Sequence, residues 1–120
     1  VDDRLIALEV NMRPPGGLTT DMFNYANDID IYSVWADLIV NGSATISSER
    51  PYHVAYVGRK SSRQYKYSHE AILSECGDHL CHHEPIEGVF ASAIGNYGYI
   101  LRSSKLDDVL SLAEYIQKVS

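Results

Sequence analysis

Glu9, Asn11 and Arg13 alternate within the run Glu9-Val10-Asn11-Met12-Arg13-Pro14-Pro15-Gly16-Gly17. Residues two apart project to the same face of a strand. A carboxylate and an amide oxygen side by side are hard ligands suited to magnesium. That ion keeps several waters and takes one or two protein carboxylates together with nucleotide phosphates. The Arg13 guanidinium, two residues further on, matches a carboxylate or phosphate oxygen. Gly16 and Gly17 let backbone N–H groups approach a substrate closely. The plainer alternative is a strand-end carboxylate paired locally with Arg13, and an asparagine in a turn.

These residues need elements to position them. Leu5 to Val10 is an apolar run of strand length, as expected of a strand covered on both faces, so a carboxylate at Glu9 needs a partner or a metal. Two Pro and two Gly then signal a turn. Thr19 or Thr20 is expected to cap a helix with Met22, Phe23 and Ala26 on one face. Asn27-Asp28-Ile29-Asp30 interrupts, and Asp30 caps a second helix carrying Val34, Trp35, Leu38 and Ile39, which Asn41-Gly42 stops. Trp35 is most simply a core anchor. Tyr52 to Gly58 alternates as a strand, with Gln64 to Tyr67 expected as its hairpin partner across Lys60-Ser61-Ser62. Ser68 is expected to cap a short helix through Ala71, Ile72 and Leu73 that ends at Gly77. His79 to His83 reads as a short strand, Ile86 to Ile94 is ambiguous, and Tyr97 to Arg102 reads as a strand. Ser104 with Asp107 forms an expected capping box. Leu106, Val109, Leu110, Ala113 and Ile116 give an amphipathic last helix. The elements mix without a strict βαβ rhythm, so the expected class is α+β, helices packed on a mostly antiparallel sheet. The chain, 1–120, reads as one domain: the metal-site strand and two helices over 1–42, then hairpin, short helices, strand and terminal helix over 43–120.

The form Glu9-x-Asn11-x-Arg13 at the end of a buried strand resembles the metal-binding motif of the ATP-grasp superfamily. Members include biotin carboxylase, the large subunit of carbamoyl-phosphate synthase, and D-alanine–D-alanine ligase. The Arg two after the Asn is closest to the first two, while Gly16-Gly17 resembles ligases that join a carboxylate to an amine. In biotin carboxylase the motif is followed by a short helix, a break with an acidic residue, and a second helix ended by Gly. Thr20 to Asn27, Asp28 and Asp30, and the stop at Gly42 fit that order. The resemblance is specific from Leu5 to about Gly42.

The resemblance implies the C-terminal portion of an ATP-grasp domain. ATP would activate a carboxylate or bicarbonate as an acyl phosphate, and an amine would then displace phosphate. Glu9 would bridge two magnesium ions on the β- and γ-phosphates of ATP, and Asn11 would ligate one of them. Arg13 would hold the carboxylate and stabilise charge in the transition state, beside Gly16 and Gly17 at the substrate. These are the positioning and electrostatic roles that dominate phosphoryl transfer. Eight residues precede Glu9, so the lysines that hold phosphates, the adenine-binding segment and the other acidic ligand are expected from an N-terminal lobe. The chain alone is expected to be inactive and to self-associate as a homo-oligomer. The alternative is a non-catalytic dimerisation or partner-binding module built on an exposed edge strand within Tyr52 to Tyr67.

Composition narrows the classes. The chain has 120 residues, enough for one core without disulfides or a structural metal. A formal net charge of −6 argues against a general nucleic-acid binder, since phosphate backbones need a cationic face. The charges from Arg59 to Lys66 read as a solvated hairpin. No run of apolar residues is long enough to span a membrane. With two cysteines and no leader-like opening, the cytoplasm is the expected compartment. Cys76, His79, Cys81, His82 and His83 lack a second pair of zinc ligands, so semi-buried thiols and solvated imidazoles are expected in preference to a zinc site. The tyrosines in the candidate strands read as cross-strand packing. Gly95-Asn96-Tyr97-Gly98 reads as a tight turn, because it lacks the Lys and the helix of a phosphate loop.

Overall fold

The computed structural model describes residues 17–47 and 49–120. The expected strand Leu5 to Val10 lies outside them. The architecture is α+β. Helices α1 (Thr19–Asn27) and α2 (Ile31–Asn41) precede strand β1 (His53–Arg59) and helix α3 (His69–Cys76). A 3-10 turn at Gly77–His79 leads into β2 (Leu80–Pro85). Helix α4 (Phe90–Ile94), strand β3 (Tyr97–Ser103) and helix α5 (Leu106–Gln117) follow. The sheet order is β1-β3-β2, antiparallel throughout.

Strand β3 is central, and its alternation divides the molecule. Tyr99 and Leu101 face one side with Val57 of β1, and there Ile72 and Cys76 of α3 and Ile116 of α5 close the core. Each fully buried aliphatic side chain there contributes roughly 1.5–3 kcal/mol. Gly98, Ile100 and Arg102 face the other side, toward α1 and α4. Arg102 donates to Asp28 Oδ1 at 3.0 Å and lies over the Tyr52 ring at 4.4 Å, which ties the end of α1 to the sheet. An irregularity between Leu80 and His82 shifts the β2 register. Leu80 therefore packs on the core, while His82 and Glu84 face the side of α1.

Local signals explain most element ends. Asp30 accepts from the N–H groups of Tyr32 and Ser33, and Gly42, at φ 69°, closes α2. Ser68 accepts from Ala71 N–H to start α3. Four expectations are corrected. Helix α1 starts at Thr19 behind a Leu18 N-cap with no side-chain bond, and Thr20 is buried within the helix instead of capping it. The capping box at the last helix is displaced. Ser103 Oγ accepts from Lys105 N–H and donates to Asp108 Oδ2, because β3 runs on to Ser103 before the chain turns. Gln64 to Tyr67 does not pair with β1, whose neighbour is β3 along all seven residues. Instead Arg59 stacks on the Tyr65 ring and donates to the Tyr67 carbonyl, while Tyr65 bridges to Val119 and Tyr67 stacks on Tyr115. Trp35 is not a core anchor: α2 has no buried residue, and Tyr32, Leu38, Ile39 and Val40 are exposed. The ambiguous stretch resolves into a turn at Gly88 and the short α4.

Two glycines are required by packing. Gly58 and Gly98 oppose each other on the α1 side. A Cβ at Gly98 would sit 2.6 Å from the Tyr56 ring, and one at Gly58 would run into the Ile94 carbonyl, which accepts from Tyr56 O–H. Backbone cannot swing aside as a flexible side chain can. Gly58→Ala is therefore expected to destabilise the fold by roughly 1–3 kcal/mol. The check is a urea denaturation midpoint that falls with an unchanged m-value; an unchanged midpoint would contradict this packing.

Candidate functional site

Of the residues singled out for chemistry, Glu9, Asn11, Arg13 and Gly16 lie outside the described residues. Gly17 lies within them. It is exposed, at φ 63°, with nothing within 4 Å of where a Cβ would stand. The left-handed backbone conformation, not crowding, is what favours glycine there. Gly17 and Leu18 form the turn into α1, and both line a cavity of about 950 Å³.

That cavity is framed by three parts of the fold. Helix α1 supplies Asp21, Met22 and Tyr25. The sheet supplies Tyr56 from β1 and His82 and Glu84 from β2. The segment leading to α4, and α4 itself, supply Ile86, Glu87, Phe90 and Ile94. The register shift in β2 puts His82 and Glu84 on this face, with His82 Nε2 3.3 Å from Glu84 Oε2. The floor is kept low by Gly98, over which the Tyr56 ring lies. Among the described residues three carboxylates line the space, and no Lys or Arg does. Lys60, on the neighbouring loop, commits its ammonium to the Ser92 carbonyl. Burial raises the Tyr56 hydroxyl above its ordinary range, and the Glu84 carboxylate adds to this. Tyr25 is raised by burial, then by Cys81 and Asp21, with Arg102 pulling the other way. Both phenols keep their protons at neutral pH. Tyr56 donates to the Ile94 carbonyl at 3.1 Å and Tyr25 to the Cys81 carbonyl at 3.4 Å.

A second cavity, about 460 Å³, lies between α1 and α5 at the β1 edge. Its walls are largely apolar, with Met22, Phe23, Val54, Leu106 and Leu110.

The cysteine–histidine stretch disperses. Cys76 is buried in the core, His79 Nδ1 meets the Arg102 carbonyl at 3.1 Å, His82 pairs with Glu84, and His83 Nδ1 meets the Tyr97 hydroxyl at 2.7 Å. Among the described residues no group of three or more His, Cys, Asp or Glu is placed to hold a metal. Burial pushes the Cys76 thiol up, with Glu75 adding. It pushes Cys81 up as well, against the pull of Arg102.

The sequence did not single out a ring cluster on the core side. His69 and His83 lie 5.3 Å apart, packed against Tyr97 and Tyr99. Tyr99 is almost fully buried, and its hydroxyl and His69 Nδ1 are hydrogen-bonded at 2.9 Å. The cluster joins the start of α3 to the β2–β3 pair across 30 residues of sequence, which no local pattern could reveal. The cavity residues were missed for the same reason, although the alternation of His82 and Glu84 in β2 carried the signal that they share a face.

Comparison with family models, with curated proteins and with solved structures finds no match. No helix among the described residues is long and apolar enough to cross a membrane.

Both thiols are expected to be protonated and shielded at neutral pH. Alkylation by iodoacetamide should be at least about tenfold slower in the folded chain than in denaturant. Mass spectrometry of the two labelled peptides reads this out, and equal rates would sink the assignment.

Proposed function

We propose that this chain is the C-terminal part of an ATP-grasp ligase, one that activates a carboxylate or bicarbonate as an acyl phosphate for attack by an amine. The observation that carries the reading is an order of features. The run Glu9-x-Asn11-x-Arg13 with Gly16-Gly17 is followed by α1, a break at Asp28 in left-handed backbone, a second helix capped by Asp30, and a stop at left-handed Gly42. That is the order that accompanies the motif in the family it resembles.

On this reading Glu9 and Asn11 would hold magnesium. The ion would supply charge neutralisation between the phosphates of ATP. Arg13 would hold the carboxylate and stabilise the charge that builds in the transition state. Gly17, the last residue of that run, lies at the turn into α1 and lines the cavity of about 950 Å³. The nucleotide-holding lysines belong to another lobe of the enzyme.

The test uses the intact enzyme with saturating ATP and magnesium. Glu9→Gln removes a full negative charge at nearly constant shape, and turnover is expected to fall at least about 100-fold. An unchanged thermal midpoint would separate this from unfolding. Full ligation by the variant would overturn the reading.

A second reading draws on α2 and β1. The apolar side of α2 is uncovered at Leu38, Ile39 and Val40, and β1 is an edge of the sheet that the described residues form. Such surfaces suit a second copy of the chain or a partner. Ile39→Glu with Val40→Glu is expected to reduce self-association measured by light scattering. A wild-type chain that is a monodisperse monomer would count against this reading.

A further inference from the structure

Helix α2 ends on the pair Asn41-Gly42, and Asn41 alone of the five asparagines in the chain is followed by glycine. The backbone nitrogen after an asparagine is a nucleophile within reach of that side chain's amide carbon. A side chain on the next residue hinders the approach, and glycine has none. The surroundings separate Asn41 further from the other asparagines of the described residues. Asn24 Oδ1 accepts from Ile31 N–H, Asn27 Nδ2 donates to the Phe23 carbonyl, and Asn96 Oδ1 accepts from the N–H and the hydroxyl of Ser61. Asn41 is exposed, and among the described residues no hydrogen bond holds its side-chain amide. The attacking nitrogen is held by one bond, from Gly42 N–H to the Leu38 carbonyl at 3.0 Å. That bond closes the last turn of a helix with no buried residue, and a turn of this kind opens at small cost.

We infer that Asn41 is a site of spontaneous deamidation through a succinimide, gated by the last turn of α2. When the turn opens, the Gly42 nitrogen gives up its proton to hydroxide and attacks Asn41 Cγ. The N–Cγ bond forms, the bond from Cγ to Nδ2 breaks, and ammonia leaves with a proton taken from water. Water then adds to one of the two ring carbonyls and opens the ring. Opening at the side-chain carbonyl gives aspartate. Opening at the backbone carbonyl gives isoaspartate, in which the main chain runs through the side-chain carbons. Either product places a carboxylate beside the unpaired carbonyls at the negative end of α2, whose last turn holds no basic residue. Isoaspartate also lengthens the backbone just before Gly42, so its N–H no longer meets the Leu38 carbonyl. That turn carries the exposed Leu38, Ile39 and Val40. The reaction therefore unwinds the apolar end of α2, irreversibly and without an enzyme.

The test incubates the full chain in mildly alkaline buffer over weeks, and mass spectrometry of its peptides follows each asparagine. Asn41 is expected to convert at least about tenfold faster than Asn24, Asn27 or Asn96, with isoaspartate among its products. Gly42→Ala should slow the conversion at least about fivefold, because a Cβ obstructs the attack. Gly42 stands at φ 69°, so the alanine also strains the helix end. A looser turn would speed the reaction, so slowing in this variant reports the obstruction and not the strain. In the unaltered chain, urea releases the bond to Leu38 and should speed Asn41 at least about threefold, which measures the gate. In the isoaspartate product the backbone amide shifts of Leu38 to Gly42 should move toward those of an unfolded chain, while those of the core residues Tyr99 and Leu101 stay in place. Conversion of Asn41 no faster than that of Asn24, Asn27 and Asn96, aspartate without isoaspartate, or a rate unmoved by urea would overturn the inference.

Discussion

The packing of β3 on both faces governs the rest of the structure. The sheet of the described residues has three strands, and each of its faces is closed by a different device. On one side Tyr99 and Leu101 are buried against Ile72, Cys76 and Ile116, a dry core between the sheet and α3 and α5. On the other side Gly98, Ile100 and Arg102 lie under α1 and α4, and polar contacts do much of the fastening. Residues adjacent along one strand thus serve opposite needs. One face excludes water, and the other leaves room for a cavity.

That room follows from what is missing at Gly58 and Gly98. With no Cβ at either position, the Tyr56 ring lies flat over β3, and its hydroxyl reaches the Ile94 carbonyl. Helix α4 is thereby fixed to the sheet at one end of the cavity. The irregularity in β2 completes the arrangement. A regular strand would alternate Leu80, His82 and Glu84 onto one face. The extra residue lets Leu80 join the core while His82 and Glu84 turn to the other side. Placing a carboxylate there is tolerable because the cavity is open to water and His82 is at hand.

How much of this was legible in the sequence depended on the range of the forces involved. Helix caps act within a turn, so Asp30, Ser68, Gly42 and Gly77 announced α2 and α3 correctly. Period-two alternation found β1 and β3, and helical periodicity found α5. Pairing was a different matter. Gln64 to Tyr67 lay close to β1 in sequence and read as its partner. The seven-residue ladder with β3 offered far more hydrogen bonds, and Arg59 then fastened the rejected segment through its carbonyl and ring. Trp35 failed for a related reason. Helical spacing shows that a face is apolar, but not what covers it. The candidate site divides in the same way. The spacing of Glu9, Asn11 and Arg13 was visible as a local pattern, whereas the cavity draws on α1, β1, β2 and α4 and had no local signature.

The two helix pairings also differ in how they are held. Helix α5 is fixed by burial of Val109 and Ile116, a force proportional to the area removed from water. The α1–α2 pair is fixed by directional bonds. Asn24 Oδ1 accepts from Ile31 N–H, the Ala26 carbonyl accepts from Tyr52 N–H, and Asp28 accepts from Arg102. Directional bonds of this kind set position and angle while contributing little net stability each. Arg102 is the informative member, because its bond to Asp28 raises its pKa and outweighs the opposing effect of burial. It spans the break between α1 and α2, so the helix that lines the cavity and the helix with the uncovered apolar face share one anchor on β3.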